Sequence, residues 1–262
     1  MNKFKKFSAW CGIIAPVLLF LTIIILGFLN PDYSHIIEGI SGLGAVGEPN
    51  AIVMNFIGFF IIGILIMFFS FGIHKGINQG KESKTGMVFL FLCGVFWVLI
   101  GLFPIGAVNS FSERVHGLAA FFSFLSGGIG IMIISRKFKK DAYWKKYSLY
   151  SLLSGLIIIT GVLFLGRLGI YGGLNQRIFL AVLFLWIELT AINLLKKANP
   201  NRGLCKLAEG VGFEPTSPKK GTALQAVPLS RFGTLPFFKE IIFSVLAIYN
   251  ILFRNRLPFF QP

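Results

Sequence analysis

The sequence predicts an all-α fold, a polytopic membrane bundle of six transmembrane helices, and three observations support this prediction. First, 55% of the 262 residues are hydrophobic, 13% are charged, and the mean hydropathy is +0.77. Charged residues make up about a quarter of a soluble domain. Second, six apolar runs are each long enough to cross about 30 Å of hydrocarbon. Third, connections between these runs that are rich in lysine and arginine alternate along the chain with connections that contain few of them.

Each apolar run predicts one membrane-spanning helix. The predicted spans cover residues 9–29, 52–73, 86–103, 117–134, 148–166 and 178–195. The first run follows a basic segment, as a secretory signal does, but its apolar part is longer than the roughly 7 to 15 residues of a signal core. We therefore expect it to remain in the protein as the first span.

The basic residues predict the orientation of the bundle. Of the lysines and arginines in residues 1–202, 15 lie before the first span, in the loops after the second and fourth spans, or after the sixth. Three lie on the opposite side: Arg114, Arg167 and Arg177. The positive-inside rule therefore predicts cytoplasmic N- and C-termini in the cell membrane. We expect the basic loops to contact anionic lipid headgroups, and no motif accompanies the charge that would indicate nucleic acid as a partner.

Small residues in the fourth predicted span indicate helix contacts. Ala119, Ser123 and Gly127 form one ladder at four-residue spacing, and Ser126 with Gly130 forms another. Such ladders let helix backbones approach closely in lipid. The fourth span is therefore expected to be central, and a homo-oligomer or another membrane partner is left open.

The character of the sequence changes after Arg202. Residues 209–236 mix glycine, proline, threonine and lysine without an apolar period, which is typical of a disordered segment. The stretch Gly-Val-Gly-Phe-Glu-Pro-Thr at 210–216 resembles the product of translation through a transfer-RNA gene. We therefore predict a membrane domain at residues 1–202 and a non-native or disordered tail at residues 203–262.

Polar residues collect on the predicted outer side. The loop at residues 30–51 contains His35 and Ser41 together with three acidic residues and no lysine or arginine. His116 precedes the fourth span, and Arg177 precedes the sixth. Imidazole, carboxylate and guanidinium groups brought together can bind a phosphate headgroup or support acid–base chemistry. The simpler interpretation is preferred, however, because loops outside a membrane are ordinarily polar.

Glu188 is the one formal charge within the six predicted spans. It lies 11 residues after Arg177, which places it about 16 Å into the hydrocarbon. Intramembrane acids often mark ion or proton pathways. A neutral glutamate hydrogen-bonded across the bundle to Ser123, Ser126 or Thr160 is an equally weighted structural alternative.

No recognised catalytic motif occurs in the sequence, so an enzyme is disfavoured. The three cysteines form no metal-ligand spacing or Cys-x-x-Cys pair, and no metal or cofactor is predicted.

Several motifs resemble one known family. In order, they are Ile40-Ser-Gly-Leu-Gly44, Pro49, Asn55, Gly58, Gly63, Phe103-Pro104, His116 and Gly173-Leu-Asn-Gln-Arg177. This order is similar to the domain of unknown function 998 family (DUF998), multi-pass prokaryotic membrane proteins whose external loop has an Ile-Ser-x-Leu-Gly-like motif. The resemblance extends over about residues 8–196. It implies the six-span fold, adds Asn55 to the candidate binding residues, and implies no established reaction.

The chain departs from the family after the Phe-Pro pair. The family often places an acid there, but Ile105 and Gly106 follow in this sequence. Any role that depends on an acid at this site is therefore in doubt.

Three functional hypotheses follow. The preferred one is a non-enzymatic membrane protein associated with lipids or a partner, because the loops are too short to form a soluble domain. The second is a small proton-coupled transporter that uses Glu188. The third is a membrane enzyme that acts on a lipid headgroup at the outer face through His116 and His35.

Overall fold

The computed structural model describes residues 3–77, 80–106, 111–164 and 172–198. Within these ranges, six helices are long and apolar enough to cross a membrane, and no residue forms a strand. The helices are α1 (Lys3–Leu29), α2 (Ala51–Gly76), α3 (Lys81–Leu102), α4 (Phe111–Lys139), α5 (Ser148–Phe164) and α6 (Gly172–Ala198). Short 3₁₀ turns occur at Ile40–Gly44 and Lys145–Tyr147. The predicted fold class is confirmed, while the orientation of the termini stays a prediction, and residues 203–262 lie outside the described residues.

Most helices extend beyond the predicted spans. Helix α4 begins at Phe111 instead of residue 117 and ends at Lys139 instead of residue 134. An apolar run measures only the hydrocarbon crossing, whereas the backbone hydrogen bonds of a helix continue into the polar interface. Glu113 in the first turn and Arg136 in the last turn also suit the helix dipole.

Each helix packs against the next along the chain, and α6 also packs against α1. Buried aromatic rings fill the space between the helices. At one end, Trp97 contacts the rings of Phe59 and Phe184, with centroids 5.6 Å and 5.3 Å away. At the other end, Phe138 stacks on Trp144 at 4.7 Å. The interior of the described bundle is therefore mainly apolar.

Glycines allow close contacts between α2 and α3, between α3 and α4, and between α4 and α6. A Cβ atom on Gly63 in α2 would lie 2.5 Å from the carbonyl oxygen of Gly94 in α3. In α4, Gly130 faces the backbone of α3, and Gly127 contacts Leu183 of α6. The ladder positions Gly127 and Gly130 therefore lie in helix contacts, as their spacing predicts.

We call the end of the bundle that carries residues 30–50 the outer end, because the distribution of lysine and arginine predicts that it is external. The opposite end, with Lys139 and Lys197, is called the inner end.

Candidate functional site

Residues 30–50, which we call the outer cap, fold back onto the outer ends of the helices. Backbone hydrogen bonds join Val46 to the carbonyl of Ile105 at 2.8 Å and Gly173 to the carbonyl of Ile37 at 3.1 Å. Gly47 has a φ of 98°, a left-handed conformation that favours glycine. The hydrogen bond between Val46 and Ile105 uses only backbone atoms. This attachment of the cap therefore does not depend on the acidic side chain that the family often has after the Phe-Pro pair.

Five of the six candidate residues meet at this cap. His35 and Ser41 belong to the cap itself, whereas Asn55, His116 and Arg177 reach it from α2, α4 and α6. Their separation in the sequence is large, so the tertiary fold brings them together. Glu188 lies apart from this group.

His116 joins three segments of the chain. Its Nδ1 lies 2.8 Å from the carbonyl oxygen of Phe103, and its Nε2 lies 2.8 Å from Oγ of Ser41. A carbonyl oxygen only accepts, so Nδ1 donates to Phe103 and Nε2 of the neutral ring accepts from the Ser41 hydroxyl. The imidazole is 4% exposed and packs edge-on against Phe59. This arrangement clamps the cap, and it also has the form of a nucleophile paired with an oriented base.

Arg177 binds the first half of the cap. One terminal nitrogen donates to the carbonyls of Glu38 at 2.8 Å and Gly173 at 2.9 Å. The other lies 2.6 Å from the Tyr33 hydroxyl and 3.3 Å from Nδ1 of His35. Because arginine only donates, His35 accepts as a neutral imidazole. Burial, followed by the charge of Arg177, lowers the pKa of His35 below its ordinary value, which agrees with this assignment.

Two further residues of the cap attachment were not among the sequence-based candidates. Tyr33 accepts from Arg177 and donates to the carbonyl of Gly39 at 2.9 Å, and burial raises its pKa. Gln176 accepts a hydrogen bond from the backbone of Ile40 at 2.9 Å. Tyr33 is the single tyrosine, phenylalanine or tryptophan in residues 30–50, which could have identified it. Gln176 stands next to Arg177 in the family-like motif.

Asn55 lies in a π-helical segment of α2, Met54–Ile61. Its side-chain nitrogen donates to the carbonyl of Gly44 in the cap at 2.8 Å. Helix α3 approaches this segment through Gly101, where a Cβ atom would lie 2.5 Å from the carbonyl oxygen of Asn55. π-Helical turns are rare and frequently occur at functional sites.

A groove opens beside Asn55 on the lipid-facing side of the bundle. Its volume is about 340 Å³, and its lining consists of Ile52, Asn55, Phe56, Phe60, Gly101 and Leu102. Ile52 is 83% exposed and Leu102 is 56% exposed. The groove is thus an apolar recess between the outer ends of α2 and α3, with one amide in its wall.

Glu188 does not make the hydrogen bonds across the bundle that the structural alternative required. Ser123 and Ser126 donate to carbonyls of their own helix, those of Ala120 and Phe122, and Thr160 donates to Leu156. None of the described residues forms a hydrogen bond or ion pair with Glu188. That alternative was therefore wrong: these hydroxyls satisfy carbonyls within their own helices, and Glu188 lies on the partly exposed side of α6.

A second polar cluster lies at the inner end and was missed in the sequence. Asp141 accepts hydrogen bonds from the backbone of Tyr143 and Trp144 and pairs with Lys197 at 3.4 Å. Tyr147 donates to Asn193 at 2.7 Å. These bonds join the loop before α5 to the end of α6, so the cluster stabilises the inner end.

Within the described ranges, no three histidine, cysteine, aspartate or glutamate side chains come together in a way that could hold a metal ion.

Comparisons with known proteins bear on the fold and not on a reaction. The family model described as "Protein of unknown function (DUF998)" matches residues 13–193, which confirms the resemblance of the motifs. No curated protein matches the chain, and no solved structure matches it.

Proposed function

The chain belongs to the DUF998 family of proteins of unknown function, and from this premise we propose that it is a non-enzymatic protein that binds a membrane lipid at its outer end. Six apolar helices make it an integral membrane protein. We further place it in the cell membrane with both termini in the cytoplasm, because its basic residues follow the positive-inside rule. The groove then opens into the outer leaflet.

The groove between α2 and α3 is the observation that supports lipid binding. Its volume of about 340 Å³ falls in the range of small-molecule sites, which are roughly 300–1,000 Å³, mostly apolar and supplied with a few polar groups. Ile52, Phe56 and Leu102 at its rim are all more than half exposed. In a bilayer these side chains face acyl chains, so the natural occupant is the chain of a lipid.

The outer cap gives this groove a fixed polar neighbour. Asn55 lines the groove and also holds the cap through Gly44. Helix α4 presents Arg114 as an exposed cation at the same end of the bundle, and arginine binds phosphate oxygens well. A phospholipid with its chain in the groove would thus place its headgroup at the same end of the bundle as the fixed amide of Asn55 and the guanidinium group of Arg114.

The proposal is tested by filling the groove. The protein is reconstituted in vesicles of phosphatidylethanolamine and phosphatidylglycerol that contain a phospholipid with a photoreactive acyl chain. After irradiation, labelled peptides are quantified by mass spectrometry. We expect strong labelling of α2 and α3 at the groove, and Leu102→Trp should reduce it severalfold because the indole occupies the recess.

Leu163→Trp is the matched control. Leu163 is 39% exposed near the outer end of α5, away from the groove, so this variant should label like the wild type. Equal labelling of the groove in the wild type and Leu102→Trp would contradict a specific lipid site.

The hydrogen bond between Ser41 and His116 favours a second candidate, hydrolysis of a lipid ester. In such a reaction, Nε2 of His116 takes the Ser41 proton while Oγ attacks the ester carbonyl carbon. The ester C–O bond then breaks, and the departing alcohol receives that proton. Water attacks the acyl-serine in the same way, which releases the acid and restores Ser41.

A fluorophosphonate probe separates this candidate from simple binding. Such a probe should label Ser41 covalently in the wild type and fail to label Ser41→Ala, whereas Ser34→Ala, another serine of the cap, should remain reactive. Absence of labelling in the folded wild type would remove the hydrolase candidate and leave the lipid-binding proposal intact. The transporter hypothesis stays a prediction, since within the described residues no hydrogen bond or ion pair links Glu188 to another polar group.

A further inference from the structure

Helix α6 has a continuous stripe of side chains on the outside of the bundle. Its members follow one another at spacings of four and three residues: Leu174, Ile178, Ala181, Leu185, Glu188 and Ile192. Leu174 is 44% exposed and Ile178 is 47% exposed, and the other four are partly exposed. We call this set the α6 stripe.

Four residues between the stripe positions face inward. Leu183, Phe184, Trp186 and Ile187 are all fully buried, whereas Val182 and Leu189 are partly exposed. Phe184 contacts the rings of Phe20 in α1 and Trp97 in α3. The rotation of α6 is therefore fixed by its packing, and the stripe lies on the side of this helix that the described residues leave at least partly uncovered.

Glu188 is the one polar residue of the stripe. It lies 11 residues after Arg177 and 8 residues before Lys196, or about 16 Å and about 12 Å along the helix. Both distances place it inside the hydrocarbon layer. Within the described part of the chain no group binds its carboxylate, yet intramembrane acids almost always pair with one another or with other polar groups. Its partner is therefore expected to come from another molecule.

We propose that the α6 stripe is the contact surface for a second copy of this chain, in which the two Glu188 side chains hydrogen-bond to each other. Alternating spacings of three and four residues are those of a two-helix seam. In a two-fold symmetric dimer each residue near the axis meets its own counterpart. All copies insert with the same orientation, so the two α6 helices run parallel and the two Glu188 residues lie at the same depth.

A second copy can supply a partner for Glu188 at the same depth. None of the six predicted spans contains lysine or arginine, so the one charged residue that a second copy offers within its spans is its own Glu188. A pair of carboxyl groups that retains a proton is self-complementary, because one O–H donates to an oxygen of the other. Ala181 precedes Leu185 in the α6 stripe, and its small side chain leaves room for close approach of the two helix backbones. The pairing site of Glu188 is thus incomplete without the second copy.

The experiment measures dimerisation of the full chain in lipid vesicles. Fluorescently labelled protein is diluted over a wide range of protein-to-lipid ratios, and stepwise photobleaching counts the copies in each vesicle. We expect a reversible dimer in the wild type. Glu188→Leu should weaken it at least tenfold, whereas Glu188→Gln should retain most of it because two amides also hydrogen-bond to each other.

Thr160→Leu is the matched control, since Thr160 is an exposed polar residue in the outer half of α5 whose hydroxyl bonds to its own helix. This variant should dimerise like the wild type. A second measurement tests the dimer even if Glu188→Leu folds poorly. Ile178→Cys and Ile192→Cys should each form disulfide-linked dimers in the membrane. Leu156→Cys on α5 should not.

Three results would overturn the proposal. The first is a wild type that stays monomeric at every protein-to-lipid ratio. The second is a dimer that Glu188→Leu does not weaken and that the cysteines of the α6 stripe do not cross-link, and the third is recovery of Glu188 in contact with a basic helix of a different protein. Leu102→Trp, which fills the lipid groove, should leave the dimer unchanged, so failure of one proposal does not imply failure of the other.

Discussion

Ser41 and His116 lie 75 positions apart in the sequence and share a hydrogen bond of 2.8 Å. The second ring nitrogen of His116 is held by the carbonyl of Phe103. One imidazole therefore connects the outer cap, the end of α3 and the first turns of α4. This link makes the cap part of the bundle and not a loose loop above it.

Replacement of His116 by alanine should loosen the cap. The change leaves the Phe103 carbonyl and the Ser41 hydroxyl without their partner, and an unsatisfied buried group costs about 1–3 kcal/mol. We expect faster amide hydrogen exchange in residues 40–46 of the protein in nanodiscs. Thr160→Ala, which removes an exposed hydroxyl bonded within its own helix, should exchange like the wild type; unchanged protection in both variants would contradict the clamp.

The cap should also become less stable at mildly acidic pH because of His35. Burial first, and then Arg177, lowers the pKa of this histidine in the folded protein below the ordinary 6.5. Protonation is thus easier in the unfolded cap. The contribution of the neutral ring is complete above about pH 6.5 and is lost as the pH falls through the lowered pKa.

Limited proteolysis and hydrogen exchange between pH 7.5 and pH 5 measure this effect. Residues 33–39 should lose protection as the pH falls, and His35→Gln should remove most of the pH dependence. A cap whose protection is constant over this range in the wild type would show that His35 does not control it.

Substitution at Gly63 should disrupt the contact between α2 and α3. A Cβ atom there would lie 2.5 Å from the carbonyl of Gly94 and 2.7 Å from the backbone nitrogen of Val98, and backbone atoms cannot move aside as a flexible side chain can. Gly63→Ala should lower stability by about 1–3 kcal/mol. Thermal unfolding in detergent measures this loss.

Gly117 provides the matched control for Gly63. It lies in α4, and a Cβ atom there would meet no other atom within 4 Å. Because alanine favours a helix by about 0.5–1 kcal/mol over glycine, Gly117→Ala should unfold at the same or a higher temperature. Equal melting temperatures for Gly63→Ala and Gly117→Ala would refute the role assigned to the close contact.

Asp141 should stabilise the inner end mainly as a hydrogen-bond acceptor. Burial by itself raises the pKa of this carboxyl group, but the backbone N–H of Trp144 and the charge of Lys197 lower it, and the resulting pKa lies below the ordinary value. Its contribution to stability is therefore present above about pH 4 and is lost as the pH falls through the lowered pKa.

Two substitutions separate the roles of Asp141. Asp141→Asn retains Oδ1 as acceptor for Tyr143 and Trp144 and removes the pair with Lys197, whereas Asp141→Ala removes both. We expect alanine to cost about 1–3 kcal/mol and asparagine less, as measured by denaturation at neutral pH. If the two variants were equally destabilised, the charge and not the hydrogen bonds would dominate.

The sequence allowed the class of protein, the six spans and the family to be predicted. The reason is physical: the partition of a helix into lipid depends on the composition of its own run of about 20 residues. This composition can be read without knowing which other helices pack around the span. It also gave His35, Ser41, Asn55, His116 and Arg177 as candidates. It did not predict that all five hold one cap, because a hydrogen bond such as that between Tyr33 and Arg177 joins residues 144 positions apart.

Glu188 marks the limit of what the sequence by itself determined. Its depth follows from counting residues along a helix, so the sequence placed it within the hydrocarbon. Its direction depends on the rotation of α6, and that helix is apolar on all sides over most of its length, so periodicity cannot define a face. Only the packing of Phe184, Trp186 and Ile187 into the bundle turned Glu188 outward, because the rotation of a membrane helix is decided by the shapes of the helices around it.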